Sequence, residues 1–372
     1  MKKNIILILV FVVITSFSVY FVLSEKPAAK KYQEPTLPYP YYSEDVKFDN
    51  SHAGITLSGT LTLPKKEGNF PVLILITGSG PQDKNEEILG HKPFLVIADY
   101  LTRKGIGVLR YDDRGVGKST GNFMTATTLD FAADAECAID YLKTRKEINS
   151  QKIGVVGHSE GGLVAAIAAS RTHDIRFVIS LAAPGATCIE VGILQAELIA
   201  RAGGIDETTV AKFNKINREI MNIVWKSTDT TLLRSDLIAF HEKYLQEFPA
   251  KMLPPGQTKE QYFRYQIDMM CTPWYQLLLK TNPAVYFGKI TCPVLALNGA
   301  KDLQVDARQN LPVILKALKD SGNSHVTVKE LPDLNHLFQE SKTGHPNEYA
   351  GIQETFSPVA LAIMFDWIIA QI

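Results

Sequence analysis

The sequence predicts an α/β fold: a mostly parallel, doubly wound sheet of about eight strands that carries a large helical insertion. Three observations predict it. Apolar runs of strand length alternate with helical stretches over the first half of the chain, the βαβ pattern that builds parallel sheets with right-handed crossovers. The runs at 70–77 (FPVLILIT) and 153–156 (IGVV) are nearly continuous, as strands covered on both faces must be. Residues 185–287 then show helical periodicity and no strand-like run, after which strand signals resume.

The elements follow in order. Residues 1–24 stand apart: Lys2 and Lys3 precede an uncharged apolar run from 5 to 23, close to the length that spans a bilayer. They read as a signal peptide or a membrane anchor. Either implies export, to a periplasmic, secreted or membrane-anchored location. Residues 25–43, rich in Pro and Tyr, read as a linker. The core is expected over 44–184 and 288–372. Strands at 45–49 and 55–63 (ITLSGTLTL) alternate as an antiparallel pair does. Strand 70–77, helix 92–104, strand 106–111, helix 130–145, strand 153–156, helix 163–170 and strand 177–182 continue the winding. Residues 185–287, with helical pieces at 236–248 and 262–279, are expected to form a cap over the sheet edge where ligands bind in such folds. Its aromatic residues Trp225, Trp274 and Tyr275 are expected to shape the pocket. Strand 292–298, helix 307–320, strand 325–331 and helix 358–369 complete the sheet.

Composition narrows the class. Lys and Arg together number 39, as do Asp and Glu, so no net field favours nucleic acid. The four cysteines show no CxxC or metal-ligand spacing, although Cys271 and Cys292 could pair in an oxidising compartment. With no HExxH or comparable cluster, metal chemistry is not expected.

The chemistry centres on Gly157-His158-Ser159-Glu160-Gly161. A serine between two glycines at a strand-to-helix junction sits on a turn too tight for flanking side chains, which pushes its hydroxyl above the sheet edge. Gly117-Lys118-Ser119-Thr120-Gly121 fits the same pattern, but it follows a charged loop and no helix begins there. It also mimics the end of a phosphate loop, yet Asp112 stands where that motif needs glycine. Ser159 is therefore the nucleophile candidate. Acyl transfer also needs an imidazole to move the proton and a carboxylate to orient it. His336 closely follows the last strand, with His345 in reserve, and His158 is expected to pack or cap. Asp302 lies on the first turn after strand 292–298 and is preferred to Asp306, which would begin a helix, and to Asp333. For the oxyanion, the backbone N–H of Glu160 and that of Ser79 are expected, with Gly80 in reserve.

These residues carry a resemblance. ITGSGPQD, GHKPFLVIADYLTRKGIGVLRYDDRGVGKSTG, GHSEGG, NGAKDLQV and LNHLFQ resemble the α/β-hydrolase superfamily serine hydrolases, in particular EstD-type bacterial carboxylesterases. The resemblance runs from about residue 43 to the end, the cap being its weakest part. It implies the α/β-hydrolase fold, hydrolysis of small-molecule, short-chain carboxylic esters without a cofactor, and catalysis by Ser159, Asp302 and His336. One departure is Thr77, where many relatives carry His. A serine peptidase or acyl-peptide hydrolase on the same fold, and a non-catalytic binding module, remain as alternatives.

Overall fold

A computed structural model describes residues 31–244, 253 and 256–372. Eight strands form one sheet: β1 (Tyr42–Asn50), β2 (Ile55–Leu63), β3 (Phe70–Ile76), β4 (Gly107–Tyr111), β5 (Ile148–His158), β6 (Phe177–Leu181), β7 (Val294–Gly299) and β8 (Val326–Leu331). Their order is β1-β2-β4-β3-β5-β6-β7-β8. β1 and β2 pair antiparallel, as does β2 with β4, and the remaining pairs are parallel. Parallelism from β3 to β8 puts the ends of these strands, and the loops that follow them, along one edge.

Helices cover both faces. α1 (Pro93–Arg103) and α11 (Pro358–Ile369) pack on one; α2 (Thr128–Lys143), α3 (Glu160–Ala169) and α10 (Ala307–Asp320) pack on the other. β3 shows why its sequence lacks alternation. Val72, Ile74 and Ile76 enter one core while Leu73 and Leu75 enter the other, so every position must be apolar.

Between β6 and β7 lie α4 (Cys188–Ala202), α5 (Glu207–Lys226), α6 (Thr230–Tyr244), α7 (Lys259–Met270), α8 (Pro273–Lys280) and α9 (Pro283–Phe287). The helical run expected at 262–279 is two helices. Thr272 ends the first by N-capping the second, its hydroxyl accepting from the Tyr275 N–H, with Pro273 in the first turn.

The segment 1–24 expected to be exported or anchored lies outside the described residues. Part of the expected linker does not behave as a tether. Lys31 is buried and donates to the carbonyls of Ala350 and Ile352 at 3.0 and 2.8 Å. Gln33 Nε2 donates to the Phe356 carbonyl, and Glu34 pairs with Lys92 at 2.9 Å. Charged and amide groups hold residues 31–34 to the domain, which hydropathy reading overlooks. Among the described residues no helix is long and apolar enough to cross a membrane. Cys271 and Cys292, raised above as a possible pair, are free, as are Cys137 and Cys188.

Candidate active site

β5 runs straight into α3 through Ser159, whose φ of 54° and ψ of −122° are strained for a residue with a side chain. The turn is held from both sides: Ser159 N–H donates to the Leu181 carbonyl at 2.8 Å, and Gly162 N–H donates to the Ser159 carbonyl at 3.0 Å. The glycines are steric requirements. A Cβ on Gly157 would come within 2.0 Å of the Gly161 oxygen, and one on Gly161 within 2.2 Å of the Ile76 oxygen. The hydroxyl-bearing residue is thus fixed at the sheet edge, only half-buried.

Two other strand ends converge there. After β7, Asp302 is buried, and its Oδ1 accepts from the N–H groups of Gln304 and Val305 at 2.8 and 2.9 Å. Its Oδ2 lies 2.8 Å from Nδ1 of His336. With Nδ1 engaged, Nε2 is the ring nitrogen left for proton exchange. His336 stands on a tight turn after β8 that buried Asn335 staples, its Oδ1 accepting from the N–H groups of Leu337 and Gln339, both at 3.0 Å. Ser159 and His336 line the same cavity of about 60 Å³, with Gly78, Ser79 and Glu160. Gly80 is not in its wall. Neither Ser79 N–H nor Glu160 N–H has a backbone acceptor among the described loop and cap contacts.

The rival residues are occupied elsewhere. Asp306 caps α10, its Oδ1 accepting from Gln309 N–H. Asp333 forms an exposed pair with Lys301. His345 accepts from Asn347 N–H at 3.1 Å, and burial lowers its pKa. In the Gly117–Gly121 loop, the Asp112 carboxylate fills the space a phosphate would need: its Oδ2 would lie 2.5 Å from a Cβ on Gly117.

Several functional contacts escaped sequence reading. Glu160 contributes more than an N–H group. Its buried carboxylate accepts from Ser79 Oγ and Thr128 Oγ1, both at 2.7 Å, and from Trp274 Nε1 at 3.0 Å. Burial pushes its pKa above the ordinary carboxylate range, against the pull of these donors. An acidic residue amid GHSEGG and an alanine-rich helix was the available signal. Glu86, buried at positive φ, accepts from Gly78 N–H at 2.7 Å and lies 3.0 Å from His158 Nδ1. Nothing local marks it. Thr77, the departure from many relatives, donates to half-buried Asp113, whose pKa desolvation raises well above the usual range.

The cavity wall also differs from the aromatic one expected. Trp225 is 46% exposed, and neither Trp274 nor Tyr275 reaches the wall; both are consumed in packing under the insertion. Cys188, Val191 and Gln195 of α4 and Leu278 of α8 line it instead. The Cys188 thiol is held neutral by burial and by nearby Glu160, which push its pKa up.

Comparison with known proteins agrees with this architecture. A family described as "Serine aminopeptidase, S33" matches residues 92–204. Esterase EstD of Thermotoga maritima is 27% identical over 301 residues, covering 80% of this chain and 62% of its own length, so the chain spans less than two thirds of that relative. The Pyrococcus furiosus esterase Pf2001 superposes with a TM-score of 0.50 at 16% identity, over 89% of this chain and 93% of that one. The α/β hydrolase GrgF from Penicillium sp. sh18 gives 0.51 at 17%, over 80% and 91%. With its eight-stranded sheet, its helix-covered faces and this likeness in sequence and fold, the chain has the α/β-hydrolase fold and resembles the EstD-type esterases.

Proposed function

We propose that the chain is a serine carboxylesterase that hydrolyses short-chain carboxylic esters through an acyl-enzyme. The observation that carries this reading is the 2.8 Å pairing of Asp302 with His336 Nδ1 beside a cavity that Ser159 also lines. Ser159 Oγ attacks the ester carbonyl while His336 Nε2 accepts its proton, and Asp302 holds the tautomer and offsets the imidazolium charge. The oxyanion rests on the N–H groups of Ser79 and Glu160. His336 then protonates the leaving alcohol. Water activated by the same imidazole releases the acid. These steps call for no cofactor.

Cavity size supports the short acyl chain. At about 10–15 Å³ of such space per water, 60 Å³ admits only a few heavy atoms without movement of α4 or α8. The helices between β6 and β7 act in this reading as the cap that sets that limit, and residues 1–24 direct the chain to or across a membrane.

The matched family's description favours a second reading, an aminopeptidase. Such an enzyme needs an anionic anchor for the substrate ammonium. The two carboxylates in the wall are already engaged: Glu86 with Gly78 N–H and His158, Glu160 with Ser79, Thr128 and Trp274. That supports the ester.

Nitrophenyl acetate should give a burst of nitrophenol from the full chain, and Ser159→Ala should remove it while circular dichroism stays unchanged. A persisting burst rejects the reading. Aminoacyl nitroanilides run alongside should be inert; their hydrolysis would favour the aminopeptidase.

A further inference from the structure

The cavity beside Ser159 has Ile88, Pro184, Val191, Leu278 and Leu337 in its wall, and two amides interrupt this apolar surface. Gln195 on α4 and Gln304, two residues after Asp302, both face it and are 4% and 6% exposed. They form a chain running away from the cavity. Gln304 is anchored by its N–H to Asp302 Oδ1 at 2.8 Å, and its Nε2 donates to Tyr349 Oη at 3.1 Å. Gln195 Nε2 in turn donates to Gln304 Oε1 at 3.5 Å. Each amide nitrogen is used on the wall side. Gln195 Oε1 is left buried with no partner.

Folded proteins leave few buried carbonyl oxygens unpaired, because losing water without gaining a donor is costly. Gln195 lies in the wall of the cavity that holds the candidate nucleophile, and although Oε1 itself is covered, a turn of the side chain away from its long 3.5 Å contact with Gln304 brings it to a bound molecule. We propose that Gln195 is a specificity-determining residue whose Oε1 accepts a hydrogen bond from a hydroxyl or amide N–H on the substrate. The favoured substrates are then small esters carrying a hydrogen-bond donor, and plain aliphatic esters are the poorer class. This rests on the esterase reading of the site. A pocket that pairs a substrate donor discriminates against the analogue lacking it, because the analogue leaves the acceptor dry and unpaired.

Two matched pairs test it with the full chain: ethyl 3-hydroxybutyrate against ethyl butyrate, with the donor on the acyl part, and 2-hydroxyethyl butyrate against propyl butyrate, with the donor on the alcohol part. In at least one pair, the hydroxylated ester should have a kcat/KM about ten-fold higher or more. Gln195→Met, which keeps length and removes the acceptor, should erase that ratio by lowering kcat/KM for the hydroxylated ester. Gln195→Glu retains acceptor oxygens and should keep the preference. Its loss in Gln195→Glu would mean that the amide is turned over and presents a donor, which overturns the proposal. Equal rates in both pairs for the unaltered protein also overturn it, a resident water then being the partner of Oε1. If Gln195→Met does not fold, the unaltered protein's ratios and the Gln195→Glu variant still decide. Hydrolysis of none of the four esters rejects the esterase reading itself, and this inference with it.

Discussion

Nε2 of His158 lies 2.9 Å from the main-chain oxygen of His336, and Nδ1 of the same ring lies 3.0 Å from Glu86 Oε1. That Glu86 oxygen also accepts from Gly78 N–H, next to the oxyanion candidate Ser79. One buried pair therefore ties together the residue before Ser159, the loop of His336 and the loop after β3. Burial works against protonation of His158, but the Glu86 charge and hydrogen bond outweigh it and raise the pKa above 6.5. A histidine with a raised folded pKa contributes stability that is full below the unfolded value and fades as pH rises through the folded one. His158→Leu strands Glu86 and should cost about 3–5 kcal/mol, with the cost larger at pH 6 than at pH 9 by urea unfolding. It should also lower kcat about 10²-fold by letting the His336 loop shift. A cost independent of pH would reject the charged pair.

Asp302→Asn should keep the fold, since the new side-chain oxygen can still accept from Gln304 and Val305 N–H. Its amide would face His336 Nδ1 and impose the wrong tautomer. We expect kcat to fall about 10⁴-fold, as such changes do in serine hydrolases, measured by steady-state ester hydrolysis with circular dichroism as the control. A loss under ten-fold would remove Asp302 from the mechanism.

Trp274→Phe deletes a donor to the Glu160 carboxylate and should cost about 1.5–3 kcal/mol. Because the folded state raises the Glu160 pKa above 4.5, stability is full below that value and falls as pH rises through the folded pKa. The lost donor served the ionised form, so the variant should suffer more at pH 8 than at pH 4.5 in denaturant titrations. An equal cost at both would show that Trp274 acts through packing alone.

Ser79→Ala keeps the backbone N–H and loses only the hydroxyl, which donates to Glu160. Its kcat for nitrophenyl acetate should stay within about ten-fold of the unaltered protein, well short of the roughly 10²–10³ that loss of an oxyanion donor costs. A larger fall would make the hydroxyl, and not the main chain, the stabilising donor.

Gly157→Ala should destabilise by about 3 kcal/mol or more, because the added methyl would lie 2.0 Å from main-chain Gly161 O and backbone cannot rotate away. Thermal unfolding monitored by circular dichroism measures it. A midpoint shift of under two degrees would contradict the close approach at the turn.

The sequence by itself determined whatever is encoded over a few neighbouring residues. Continuous apolar runs required a two-faced core around β3 and β5. Gly157-His158-Ser159-Glu160-Gly161 required a strained elbow, and the positions of Asp302 and His336 just after β7 and β8 required them at one sheet edge. Tertiary structure alone decided which side chains meet across that edge. Glu86 and His158 are 72 residues apart, Trp274 and Glu160 are 114, and Gln195 and Gln304 are 109. No periodicity signals such pairs. The same holds for the helices between β6 and β7, where Trp225 turns outward while Cys188, Val191 and Gln195 face the cavity. Helical spacing specifies that a face is buried; the neighbour that buries it is set by how distant segments pack, and that is a property of the whole fold.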